Sequence, residues 1–139
     1  MIDEVEYLNK KDIKEYGNFI KEIFEYDINR KAIEKLIDNE LVLIIKDDKK
    51  IVASCTLEKH LEYVKNKKFY HLGYLGVLKD YRRKGYASKL FEKIEQLVTE
   101  NDIDYIELTS GNQRRIAHYF YKSQNFKVKD TTVFIKIYK

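Results

Sequence analysis

Proline is absent from this 139-residue sequence and only five glycines occur, so its turns have to be made by glycine, asparagine and aspartate. The single cysteine, Cys55, excludes an intramolecular disulfide and favours a location in the reducing cytoplasm. The three histidines stand far apart, which predicts no metal site. No apolar run approaches the roughly 20 residues that span a bilayer, and the first residues lack the pattern of a signal peptide, so we expect no membrane partner.

The sequence also has no large excess of one charge, because the formal net charge is only +4 although 36% of the residues are charged. The two signs are interleaved along the chain, which is typical of a solvated surface. A nucleic-acid-binding domain of this size is usually more basic, so we expect no nucleic-acid partner. An apolar fraction of 44% is enough for a core, and the length predicts a single domain over residues 1–139.

The hydrophobic periodicity predicts an α/β chain with a mixed sheet. Asn9 or Asp12 is expected to cap the first helix, and Asn29 the second. The predicted elements are, in order, a strand over 2–8, a helix over 11–26, a shorter helix after Asn29, strands over 41–45 and 51–57, a charged loop over 59–68, a strand over 69–77, a helix over 84–100, a strand over 105–109, a helix over 113–124 and one or two strands within 128–138.

The segment before the most regular helix has an unusual composition. It reads Arg82-Arg83-Lys84-Gly85-Tyr86-Ala87-Ser88. A helix N-terminus offers unpaired N–H groups and about half a positive charge, and Gly85 allows a ligand to approach the backbone. The three cations would add attraction for a pyrophosphate. An ordinary surface helix that happens to follow basic residues is the alternative interpretation.

This segment resembles the Gln/Arg-x-x-Gly-x-Gly/Ala signature of the GNAT superfamily of N-acetyltransferases. The preceding strand, the following helix and the order of elements resemble that family over essentially the whole chain, most strongly from Phe69 to Phe126. The resemblance implies a mostly antiparallel mixed sheet flanked by helices, with the fourth and fifth strands splayed apart. It also implies acetyl-CoA as co-substrate, a small-molecule or protein amine as acceptor and, as is common in relatives, a homodimer. The coenzyme pyrophosphate would bind the N–H groups of residues 83–88.

In such proteins the fourth strand carries a β-bulge, and the pantetheine arm of the coenzyme pairs with its free backbone groups. By position, the resemblance assigns these contacts to Leu75 and Val77. Gly76 suits a bulge, and N–H groups near it would stabilise the oxyanion that forms during attack. Alternatively, Gly73 and Gly76 relieve crowding in a core strand.

Attack on the thioester needs a neutral amine, whereas a free amine is mostly protonated at pH 7. Many relatives carry a glutamate on the fourth strand as base, but the matching position here is Gly73. Other relatives place it two residues earlier, where this chain has His71, and a free imidazole has a pKa near 6.5. Glu107 on the next strand is the other candidate, although a lone histidine or glutamate on a strand is more often structural.

The last predicted helix resembles the Arg-x-x-Ala-His-x-Phe-Tyr helix of a GNAT subset. Arg114 matches a coenzyme-contacting position where asparagine is more common, and His118 either contacts substrate or bonds a backbone carbonyl. Tyr121 matches the tyrosine that protonates the departing thiolate in many relatives, although packing alone would also explain it. Asn125 replaces the glycine of the usual Gly-Phe pair, and asparagine tolerates the left-handed conformation better than most residues.

Two other functions fit parts of the sequence. A catalytically weak acyl-CoA-binding regulatory module would explain the missing carboxylate at Gly73. A nucleic-acid-associated protein would show salt-sensitive retention that coenzyme A does not compete away. The acceptor is expected to bind among the first helices and the 58–69 segment, which carry no recognisable motif.

Overall fold

The chain divides into two units, and the first unit ends at Leu108. This first unit contains a five-stranded sheet. The computed structural model describes residues 4–139, and its second unit spans Thr109–Lys139. The expectation of a single domain over 1–139 stays a prediction.

The strands lie across the sheet in chain order, antiparallel except for the last pair, which is parallel. They are β1 (Glu6–Tyr7), β2 (Leu41–Asp47), β3 (Lys50–Glu62), β4 (Lys67–Val77) and β5 (Tyr105–Glu107). β1 covers part of the strand predicted over 2–8, of which residues 2 and 3 lie outside the described residues. β5 pairs only with residues 69–71 of β4, so the rest of β4 continues beyond that pairing. The predicted mixed sheet with splayed fourth and fifth strands is confirmed.

The α-helices of the described residues are α1 (Ile13–Phe24), α2 (Arg30–Asn39), α3 (Tyr86–Glu100) and α4 (Arg115–Ser123). Asn29 caps α2 through its side-chain oxygen, as predicted. Asn9 caps the short 3₁₀ turn Lys10–Asp12 that precedes α1. Asp12 makes no capping bond, because its carboxylate pairs with Lys46 Nζ at 2.8 Å. Of the two expected caps for the first helix, only Asn9 therefore acts as one.

The core of the first unit lies between the sheet and its helices. α3 packs against β2, β3 and β4, while α1 packs against β3 and α2 against β2. The buried side chains of α3 are Leu90, Phe91, Ile94 and Leu97. Full burial of a side chain of this size stabilises the fold by about 1.5–3 kcal/mol. Cys55 on β3 is completely buried, and this burial raises the pKa of its thiol to about 12.

The charged segment over 59–68, which was expected to be a loop, is mostly strand. β3 continues to Glu62 and β4 begins at Lys67, so the turn comprises residues 63–66 only. The opposite charges of Glu62 and Lys67 face each other across the two strands. Such cross-strand pairs stabilise a sheet without the alternating apolar pattern from which strands are predicted. The prediction of a loop was therefore wrong.

The second unit contains α4, which ends in a left-handed turn. Asn125 has a φ of 69°, and the N–H of Phe126 donates to the carbonyl of Tyr121 at 3.0 Å. The predicted tolerance of Asn125 for this conformation is confirmed. Residues 128–138 form no strand, so the predicted final strands are wrong. An apolar pattern favours a strand but does not supply the hydrogen-bonded neighbour that a ladder requires.

Candidate active site

The loop that leads into α3 presents backbone N–H groups at its surface. Gly85 is the N-cap of α3 with φ of 91° and ψ of 5°, and no side chain caps the helix. Arg83 is also left-handed, with φ of 61°. Residues 82–85 and Ser88 are exposed, while Tyr86 and Ala87 are partly buried. A helix N-terminus left open in this way can receive an anion.

Side chains of the loop fix its path. Arg82 Nε donates a hydrogen bond to the carbonyl of Val77 at 2.9 Å, which ties the loop to the end of β4. The Tyr81 hydroxyl donates to Asp47 Oδ2 at 2.7 Å, and this bond raises the pKa of Tyr81. Lys84 Nζ lies 5.8 Å from the centre of the Tyr81 ring. Arg82 is thus partly engaged in holding the loop.

A β-bulge interrupts β4 just before its end. Tyr74 and Leu75 lie opposite a single residue of β3, Cys55. Tyr74 has a φ of 45°, a strained conformation for a residue with a side chain. The predicted bulge exists, but it lies at Tyr74 and Leu75 rather than at Gly76. Leu75, one of the two residues expected to offer backbone groups, is part of the bulge.

The two glycines of β4 are needed for packing. A Cβ atom at Gly76 would lie 3.0 Å from Ile23 Cδ1 and 3.2 Å from Phe24 Cζ, both on α1. A Cβ atom at Gly73 would lie 2.9 Å from Thr56 Oγ1. The alternative interpretation, in which these glycines relieve crowding, therefore holds at both positions.

Titratable side chains meet on one face of the sheet, beside the bulge. Glu58, His71 and Glu107 lie directly opposite one another on β3, β4 and β5, so their side chains share this face. Leu41 lies opposite Leu57, which brings Glu40 beside Glu58. We call this set the polar face; its members are Glu40, Thr56, Glu58, His60, His71 and Glu107. The structure thus brings together the two residues predicted as bases.

The polar face is ordered by short contacts. His60 Nε2 lies 2.8 Å from Glu58 Oε1, and the His60 ring stacks on Phe69 with 4.9 Å between centres. Phe69 in turn stacks on Tyr105 at 4.7 Å. The rings of His60 and His71 lie 6.5 Å apart, nearly perpendicular. These rings form a wall beside the carboxylates.

The carboxyl of Glu40 on the polar face is less acidic than an ordinary glutamate. Burial raises the pKa of its carboxyl, and the nearby charge of Glu58 raises it further. His71, a hydrogen bond with Thr56, and His60 act in the opposite direction, in that order. The result is a carboxyl that holds a proton more tightly than an ordinary glutamate does.

The remaining predicted site residues belong to the second unit. Arg114 is the N-cap of α4 and is exposed. Tyr121 is half-buried, and its ring centre lies 6.0 Å from that of Phe120 and 5.8 Å from that of Phe126. The Tyr121 ring therefore has a packing role within its unit.

Sequence reasoning missed Glu40, Glu58 and His60. The alternation of Thr56, Glu58 and His60 along one face of a strand was the available signal, but the assumed loop concealed it. Glu40 has no such signal, because its place depends on the pairing of β2 with β3.

A surface depression of about 500 Å³ between α1 and the turn around residues 47–50 contains none of the predicted site residues. Among residues 4–139, no group of three or more potential ligands is placed to hold a metal ion. None of the helices in that range is long and apolar enough to cross a bilayer.

The profile of the Acetyltransferase (GNAT) family matches residues 6–126. No curated protein matches the chain. Many solved structures resemble it, among them three that are 14% to 20% identical.

An aminoglycoside acetyltransferase from an uncultured soil metagenomic sample is 20% identical, with a TM-score of 0.83 over 98% of this chain and 95% of its own. The ribosomal-protein-alanine N-acetyltransferase of Brucella melitensis biovar Abortus is 16% identical, with a TM-score of 0.84 over 99% of both chains. AAC(6')-Iy in complex with the bisubstrate analogue CoA-S-monomethyl-acetylneamine is 14% identical, with a TM-score of 0.84 over 100% of this chain and 99% of its own. At such identities the likeness shows the shared fold.

Proposed function

Because the chain belongs to the GNAT acetyltransferase family, we propose that it is an N-acetyltransferase that moves the acetyl group of acetyl-CoA to a primary amine by direct attack on the thioester. The observation that carries this proposal is the open N-terminus of α3, with left-handed Gly85 as its N-cap and exposed cations before it. A regulatory module that binds acyl-CoA and catalyses weakly is the alternative, and the missing side chain at Gly73 favours it.

The residues of the loop fit the pyrophosphate of coenzyme A. N–H groups of residues 83–88 would bind its oxygens, because Gly85 presents no side chain and Ala87 and Ser88 present small ones. Arg82, Arg83 and Lys84 add positive charge, and Tyr86 lies within the same turn. Leu75 and Val77 would offer backbone groups to the pantetheine arm, and Arg114 a further cation.

In the proposed reaction the neutral amine nitrogen attacks the thioester carbonyl carbon, and the carbon–sulfur bond breaks as the amide forms. The amine must first lose a proton, for which His71 and Glu107 on the polar face are candidate acceptors. Backbone N–H groups near the bulge would stabilise the oxyanion. By its match to the family helix, Tyr121 is the proposed donor of a proton to the thiolate.

The acceptor is proposed to be a small-molecule amine or a protein amine. Structurally similar proteins are described as an aminoglycoside acetyltransferase and as a ribosomal-protein-alanine N-acetyltransferase, which represent these two classes. A homodimer and a cytoplasmic location belong to the same proposal, and neither a membrane nor a nucleic acid is expected as partner.

Two measurements test the proposed function. Coenzyme A should raise the melting temperature, since a ligand at a hundredfold excess over its dissociation constant stabilises the native state by about 2.7 kcal/mol. Release of free thiol from acetyl-CoA should then depend on addition of one class of amine. A thermal shift without amine-dependent thiol release would favour the regulatory module, and no shift with millimolar coenzyme A would contradict both.

A further inference from the structure

The space beside Gly73 is occupied by a side chain from the neighbouring strand. Thr56 lies directly opposite Gly73, and its hydroxyl oxygen is 2.9 Å from where a Cβ of residue 73 would be. Thr56 is only 3% exposed. A side chain at position 73 would therefore meet the Thr56 hydroxyl, which would have to move. With glycine at this position, the chain carries no carboxylate there.

Another carboxylate reaches the same place from a different element. α2 ends at Asn39, and the N–H of Glu40 donates to the carbonyl of Leu36 at 2.9 Å. Glu40 is extended, with φ of −133° and ψ of 162°, and leads directly into β2. The pairing of β2 with β3 brings its carboxylate to the Thr56 hydroxyl, with which it forms a hydrogen bond.

The second carboxylate nearby is already engaged. Glu58 holds its oxygen 2.8 Å from His60 Nε2, and both side chains are close to half exposed. Glu40 makes no ion pair of this kind among the described residues. Of these two carboxylates, Glu40 is therefore the one that an incoming amine can approach without displacing an ion-pair partner.

We infer that Glu40 is the general base of this enzyme and replaces, from the end of α2, the glutamate that position 73 lacks. This inference rests on the proposed function. The ammonium group of the acceptor gives its proton to the Glu40 carboxylate, directly or through one water. The neutral nitrogen then attacks the thioester, and the protonated Glu40 later returns the proton to solvent. His71 and Glu107 then act as neighbours that shape the face.

The electrostatic surroundings of Glu40 suit this role. Glu58 and His60 face it from β3, His71 from β4 and the buried Tyr16 from α1, while Glu107 lies one strand beyond His71. Burial and Glu58 raise the pKa of Glu40, which makes it a stronger proton acceptor than an exposed glutamate. The base form exists above this pKa, so activity should fall as the pH drops through it.

The test compares Glu40→Gln with Asp38→Asn, which removes the same charge from an exposed position of α2. Glu40→Gln should lower kcat by about 10²–10⁴-fold and abolish the acidic limb of the pH–rate profile, with the coenzyme A thermal shift unchanged. Asp38→Asn should behave as the wild type. A loss below about threefold in Glu40→Gln, or an equal loss in Asp38→Asn, would overturn the inference.

Glu58→Gln provides a second measurement that does not require loss of the base. Because the charge of Glu58 raises the pKa of Glu40, its removal should move the acidic limb of the profile to lower pH. A limb that stays in place or moves to higher pH would contradict the role of Glu40. Failure of the proposed function is distinguishable, since the wild type would then show no amine-dependent thiol release at any pH.

Discussion

The loop over 82–88 and the polar face are built in opposite ways. In the loop, the residues from Arg83 onward are consecutive in the chain and lead into α3, and left-handed conformations at Arg83 and Gly85 set the direction of their backbone. In the polar face, side chains from the end of α2 and from three strands meet only because of the sheet register. A contiguous backbone site leaves a motif in the sequence, whereas a site made by register does not.

Gly85→Glu should have the largest effect. It should remove the ability of the loop to bind an anion and leave the polar face intact. It adds bulk and negative charge at a helix N-terminus, and it strains a residue whose φ is 91°. We expect coenzyme A binding to be abolished, measured by isothermal titration calorimetry and by thermal shift.

Gly85→Ala is the matched control, since it introduces the left-handed strain without the charge. It should keep part of the affinity. If Gly85→Glu remains folded and binds coenzyme A like the wild type, the pyrophosphate does not bind at this loop.

Tyr121→Phe concerns a side chain that belongs to neither region. It keeps the ring contacts with Phe120 and Phe126 and removes only the hydroxyl. As the proposed proton donor to the thiolate, Tyr121 should contribute about 10²–10⁴-fold to kcat, with little change in coenzyme A affinity. Saturating acetyl-CoA and one acceptor allow a direct comparison of turnover. A fall smaller than about threefold would leave Tyr121 with its packing role alone.

Arg82→Ala should have the smallest effect. It tests how much the loop depends on the positive charge of Arg82 and on the contact by which Arg82 anchors it. The variant loses one cation and also the 2.9 Å bond to the Val77 carbonyl. We expect coenzyme A affinity to fall by up to about tenfold, about 1.4 kcal/mol, and to depend less on salt. Arg30→Ala, at an exposed position of α2, removes a guanidinium elsewhere and should leave affinity unchanged. Equal losses in both variants would mean that only overall charge matters.

The difference between the two regions also decided what could be predicted from the sequence. The helices and the order of elements followed from periodicity, the loop at α3 from a local motif, and the arrangement of the sheet from the family resemblance. The position of the bulge did not, because it depends on how residues 74–75 match Cys55 across the sheet. The continuation of β3 and β4 was missed because its charged pairs carry no apolar alternation. Glu40 could not have been found without knowing which residue it adjoins.

The burial of Cys55 has a practical consequence. A thiolate is the species that reacts with thiol reagents, and here the only cysteine is fully enclosed with a thiol pKa raised to about 12. In the folded protein a thiol-reactive dye should therefore report coenzyme A without a background from the enzyme. Modification of Cys55 would instead require that β3 open to solvent, so its labelling rate in the absence of substrate measures the free energy of that opening.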